Sequence, residues 1–191
     1  MDHKSSLRRL VILAALVLLV APASGQTFGV PFLNDLYVGF FPGALAGPPG
    51  GFPCVAPPFA VPAGVPFTLN VTAAAPGMLV IMLVDLGPCA GGFVCLPPIA
   101  GPYAAIPLCL APCGPGTNQS VDIPFTATPV LVGYTTPAPP GSPAGTGIFT
   151  SPVLATPGLG LVVSVQAILF DPAFGGLIFG SVVTNAATLL I

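Results

Sequence analysis

Apolar and polar residues alternate most cleanly at two places. In 66–73, "PFTLNVTA", Phe67, Leu69 and Val71 fall on one side and Thr68, Asn70 and Thr72 on the other. That period of two predicts a strand with one buried face. In 159–170, "LGLVVSVQAILF", Val163, Val165, Ala167 and Leu169 share a face in the same way. Between them, Ala75-Pro76-Gly77 makes a turn and Met78–Val84 is a continuous apolar run stopped by Asp85, the pattern of a central strand. Joined by so short a turn, 66–73 and 78–84 are expected to form a hairpin. In "QSVDIPF", Val121, Ile123 and Phe125 oppose Ser120, Asp122 and Pro124, and the proline predicts an edge position. Weaker strand patterns occupy 129–134 and 146–150. After Asp171-Pro172 and a turn through Gly175-Gly176, "GLIFGSVVTNAATLLI" supplies one or two closing strands. Upstream, "FFPGALAGPPGGFPCVAPPFAVPAG" is broken by Pro and Gly too often for more than one strand, near 35–41.

About eight short strands, with turn signals roughly every ten residues, predict an all-β chain. The expected architecture is an antiparallel β-sandwich carrying a disulfide-stapled loop, with a small barrel as the second choice. The domain reading is a signal peptide over 1–25, a Pro/Gly-rich lead-in with one strand over 26–64, and the sandwich over 65–191.

Composition sharpens this picture. The 191 residues include 24 Gly and 27 Pro, which disfavours long helices. Disordered chains with that much Pro and Gly are also polar and charged, whereas this one is 54% hydrophobic and 4% charged. Asp2, His3, Lys4, Arg8 and Arg9 form a net-basic head, Leu10–Val20 is apolar, and Ala21–Gly25 are small or Pro. This is the build of a secretory signal peptide cleaved after Ala23 or Gly25, with an apolar core too short for the ~20 residues of a spanning helix. The expected location is therefore secreted, periplasmic or cell-surface.

Every Lys and Arg, and the single His, lie within that leader. The remainder keeps four carboxylates (Asp35, Asp85, Asp122, Asp171) and no cationic side chain. Nucleic-acid binding needs Lys and Arg to neutralise phosphates, so no nucleic-acid partner is expected. Adhesion to anionic lipid fails for the same reason, and histidine-based catalysis or metal binding lacks its residue. No apolar stretch after residue 25 is long enough to span a membrane as a helix.

Cys54, Cys89, Cys95, Cys109 and Cys113 are read as disulfide formers, as expected for an exported chain. Cys89–Cys95 and Cys109–Cys113 as local staples, or a cross between those two segments, would close the 87–116 loop and leave Cys54 unpaired. A nucleophilic cysteine would lack a cationic or histidine neighbour. A glycosidase-type pair needs carboxyls within about 5–10 Å, and the spacing of the four aspartates does not predict one; Asp85 and Asp171 read as turn caps. Asn70 and Asn118 sit in N-glycosylation acceptor patterns, Asn70 reading better as the polar face of its strand. Tyr37, Tyr103 and Tyr134 could form a sugar-stacking platform, against which the phases of Phe67 and Phe125 indicate core packing.

The segments "FTLNVTAAAPGMLVIMLVDLG" and "VSVQAILFDPAFGGLIFGSVVTNAATLLI" carry a resemblance. An aliphatic strand with a Gln, then Asp-Pro, a Gly-bearing turn and a Thr-Asn-Ala closing strand resembles the ending of a secreted module abundant in planctomycete-type bacteria. The resemblance implies a β-sandwich appended to larger extracellular proteins, without an established activity, and it carries no functional residue over. The expectation is a non-enzymatic structural or interaction protein without cofactor, metal site or catalytic residue. Its contacts would be self-association or an envelope protein or polysaccharide. A carbohydrate-binding module is the alternative, and an aspartate-dependent hydrolase the third reading.

Overall fold

The strands follow in chain order as β1 (Leu36–Phe40), β2 (Ala44–Ala46), β3 (Phe59–Ala60), β4 (Phe67–Ala73), β5 (Leu79–Leu86), β6 (Val94–Leu96) and β7 (Gln119–Val121). They continue as β8 (Thr128–Tyr134), β9 (Thr136–Pro137), β10 (Gly147–Thr150), β11 (Val162–Phe170), β12 (Ser181–Val183) and β13 (Ala187–Leu190). This computed structural model describes residues 30, 32–40, 44–46, 58–89, 94–96, 103, 119–123, 127–172 and 180–191. A first sheet runs β2-β1-β4-β10-β9 and a second runs β3-β13-β11-β5-β8, with β12 also on β11 and β6-β7 as a separate ribbon. All pairs are antiparallel except β3 with β13. The chain is all-β among the described residues, and neither large sheet closes on itself, so the barrel alternative falls.

Residues of both sheets meet in one hydrophobic cluster. Leu36, Val38, Leu69 and Val71 of the first sheet and Val80, Met82, Val163, Val165, Ala167, Leu169 and Leu189 of the second belong to it. The inward faces are those given by the period-two pattern at 67–71 and 163–169. Both strands are more deeply buried than one-sided alternation predicts. On β4, Asn70 and Thr72 are also buried, the Thr72 hydroxyl accepting the Phe32 N–H at 3.0 Å.

Two expectations are corrected. β4 and β5 are not a hairpin: β4 pairs with β1 and β10, and β5 with β11 and β8, so the connection through residues 74–78 crosses from one sheet to the other. The chain crosses back beside it, between β8 and β9 at Thr135. There the Thr135 N–H donates to the Met78 carbonyl (2.9 Å), and the Gly77 N–H donates to the Thr135 carbonyl (2.7 Å). The Thr135 hydroxyl donates to Ala75 O and accepts the Met78 N–H, each at 2.9 Å. Each crossing thus supplies hydrogen-bond partners that sheet neighbours no longer provide.

Among the described residues, the stretch 26–64 holds three strands, where one was expected. β1 and β2 extend the first sheet and β3 borders the second, with Phe40 and Phe59 in ring contact at 5.9 Å. Proline and glycine limit these pieces to five residues or fewer without preventing pairing.

Candidate interaction surface

The outer face of the second sheet, turned away from the shared core, divides into two halves. One half is covered. Cys89, Ile123 and Ala186 form a second small cluster, with Leu83, Val121 and Ala127 packed on it. Beneath residues 119–123 the polar outward positions of β11 are fully buried, including Ser164 and Gln166. Here the alternation in "QSVDI" is overturned: Ser120 and Asp122 are buried and Val121 only partly so. Gln166 is the physical reason. Its Oε1 accepts the Asp122 N–H at 2.8 Å, and its Nε2 donates to Ser120 O at 3.1 Å and Thr184 O at 2.9 Å. The Ser120 hydroxyl donates to Asp122 Oδ1 at 2.6 Å. A side-chain amide therefore serves a polar segment as a neighbouring strand would.

The Thr184-Asn185-Ala186 stretch is a β-bulge. Ile168 faces Val183 but Val165 faces Ala187, so the register slips by one residue between them. Ala167 N–H donates to the Thr184 hydroxyl at 2.9 Å. The bulge turns the Asn185 side chain toward β1, where it accepts the Leu36 N–H (2.8 Å) and donates to the Leu36 carbonyl (3.0 Å). Leu36 needs this partner because β2 pairs only with Val38, Gly39 and Phe40. Asn34 ties the same region by donating to Val183 O at 2.9 Å, and Gln119 accepts the Val183 N–H at 2.7 Å.

The other half of the outer face lies open. Across β8, β5 and β11 it presents two rows in register: Tyr134–Leu79–Phe170 and Val132–Ile81–Ile168. The four β5 and β11 side chains are partly exposed, and Val132 and Tyr134 are 64% and 66% exposed. Val130, extruded where the β5–β8 register shifts, is 56% exposed. No charged residue occurs from Ala127 to Thr150. Most soluble proteins break up an apolar edge with charge; this one does not.

The residues singled out by sequence fall elsewhere. Asp35, Asp122 and Asp171 are buried and Asp85 is partly buried. Asp85 faces Ser164, whereas Asp171 follows Phe170 at the opposite end of β11. Seven residues of strand separate those positions by about 23 Å, far beyond the reach of a carboxylate pair. The tyrosines form no platform. Tyr103 is fully buried and donates its hydroxyl to Asp171 Oδ2 at 2.9 Å. Burial, then that hydrogen bond and the Asp171 charge, push its pKa well up. Burial and Asp35 raise that of Tyr37. Phe67 is in the core as expected, Asn70 is buried and closed to modification, and Phe125 and Asn118 lie outside the described residues. Cys54, Cys109 and Cys113 also lie outside them. Cys89 and Cys95 are disulfide-bonded, and Cys89 sits on Thr188, its N–H donating to that hydroxyl at 3.4 Å.

Among the described residues no group of three potential ligands could hold a metal, and no helix is long and apolar enough to cross a membrane. Neither the Gln166–Asn185 network nor the open strip was identified from sequence. An amide inside an aliphatic strand was the available signal for the network. No family model matches the chain, and no curated protein matches it.

Proposed function

We propose that the chain is an exported, non-enzymatic β-sandwich module that works by contact, through the open half of its second sheet. One observation carries the reading: a strip headed by Val130, Val132 and Tyr134 is exposed, apolar and uncharged, at the longest sheet margin among the described residues. Contiguous apolar surface of this kind marks contact sites. The basic-headed apolar leader supports export, and the paired cysteines suit an oxidising compartment. In this reading Cys89 and Cys95 are bonded to each other, closing the β5–β6 connection; a non-reducing peptide map tests that pairing. The wide separation of Asp85 and Asp171 supports a role without catalysis. The absence of cationic side chains beyond Arg9 leaves nucleic acid without a basis for binding.

The test places a photo-crosslinking amino acid at Val132 or, as a control, at the exposed but remote Leu159, in the full chain produced with its leader. Irradiation of intact cells should give discrete protein adducts from position 132 and none from 159. No adduct from 132, or equal adducts from both, would overturn the contact role.

A further inference from the structure

We propose that two copies of the chain join edge to edge through β8, antiparallel, with Gly133 on the two-fold axis. This rests on the contact role above and names the partner as a second copy. Among the described strands, every margin of the two large sheets but that of β8 is short or already satisfied; on β12 the Val183 N–H and C=O are taken by Gln119 and Asn34. β2 has three residues, β3 has two and is followed by Pro62, and β9 has two, one of them Pro137. Such shortness and proline are the usual protections of an edge. β8, with seven residues, is the exception, and no described strand pairs with its far side.

The hydrogen-bond phase of β8 specifies the register. Thr135 N–H donates to Met78 O. Bonded and non-bonded pairs alternate in an antiparallel ladder, so Gly133 and Leu131 also bond to β5, while Tyr134 and Val132 aim their N–H and C=O groups at the open edge. A second β8 running the other way places Val132 opposite Tyr134 of its copy, twice. Four hydrogen bonds result, satisfying all the edge-facing backbone groups of both residues in both chains. Gly133 then meets Gly133 of the copy at the closer, non-bonded spacing of about 4.5 Å. Its inner side is already filled by Phe149, whose Cε2 would lie 2.5 Å from any added Cβ. On the outer side each Val132 packs beside a tyrosine, a favourable β-branched–aromatic cross-strand pair.

Charge points the same way. Neither edge carries any, so two copies meet without repulsion, and a charged partner would find nothing to complement. The seam is short. Thr135 is already committed to Met78, and the register shift at Val130 with Pro129 ends it on the other side. Four hydrogen bonds are fewer than the ~10 of a standard-sized interface, so association is weak, with a dissociation constant on the order of 100 µM.

Sedimentation velocity of the full chain, from about 1 µM to about 1 mM, should show monomer passing to dimer. Val132→Pro deletes an N–H that β5 does not use and should weaken dimerisation about a hundredfold by removing two hydrogen bonds, with an unchanged melting temperature. Leu159→Lys, exposed and remote from the edge, should leave the dimer intact. On the unaltered protein, hydrogen exchange at Val132 and Tyr134 should slow as concentration rises, while Gly133 stays protected throughout. A monomer at every concentration, or exchange at 132 and 134 independent of concentration, overturns the proposal. Dimerisation lost in Ile81→Lys, on the adjoining face, but kept in Val132→Pro would indicate face-to-face docking and overturn the edge register while sparing the contact role. A Val132 crosslink to a different protein from a monomeric chain would likewise sink the dimer alone.

Discussion

Replacing Asn185 with alanine removes the one side chain that satisfies both backbone groups of Leu36. Asn185 is 2% exposed and Leu36 is 1% exposed, so bulk water does not reach the vacated partners. Each buried group left unpaired costs about 1–3 kcal/mol. Two such groups, less the desolvation that the amide itself no longer suffers, put the loss at about 3 kcal/mol. Against a typical total of about 5–15 kcal/mol this is large, and it corresponds to a fall in Tm of roughly 6–12 °C for a chain of this size. Urea unfolding followed by circular dichroism measures it. Hydrogen exchange at the Leu36 amide should accelerate well beyond that at Val71, its partner on β4. Thr136→Val is the control: it deletes an exposed hydroxyl bond to Ile148 O and should cost under about 0.5 kcal/mol. Asn185→Asp keeps an acceptor but loses the donor, and should regain stability as acid protonates the new carboxyl. A loss below about 1 kcal/mol in Asn185→Ala, or unchanged exchange at Leu36, would show that the amide does not stand in for a strand there.

Alkaline titration probes the buried phenols. Because the folded-state pKa values of Tyr103 and Tyr37 are raised above 10.0, stability should be level below that pH and fall above it, as unfolded chains ionise first. Urea midpoints should decline less steeply with pH in Tyr103→Phe. Gly147→Ala should destabilise by about 1–3 kcal/mol or more, since its Cβ would meet the Ala75 carbonyl carbon at 2.8 Å in backbone that cannot yield; a melt checks this. Exhaustive trypsin should leave the chain beyond Arg9 in one piece, as read by intact mass, because no Lys or Arg follows.

What the sequence made legible was local. The period at 67–71 and 163–169 identified inward faces correctly, and the runs at 129–134 and 146–150 became β8 and β10. The failures were of partnership. A short Ala-Pro-Gly-containing connection looks the same whether it folds a hairpin or carries the chain to another sheet. The outcome depends on β1 and β10, both distant in sequence from β5, occupying the flanks of β4. Ser120 and Asp122 read as solvent-facing because their burial depends on an amide more than forty residues away. The open strip was hidden for the opposite reason: Val132 and Tyr134 alternate like a core strand, and it is the uncovered outer face together with the end position of β8 that leaves them outside.

The Gln166–Asn185 network knits the interior through amides and hydroxyls, with the Asp122 carboxyl held by a hydroxyl and, among the described residues, no cation, while every cation in the sequence lies at or before Arg9. Such a scaffold offers sodium and chloride no ion pair to screen. Its melting point should therefore barely move between fresh water and brine, a tolerance built into the choice of residues without the dense acidic coat that salt-adapted proteins often wear.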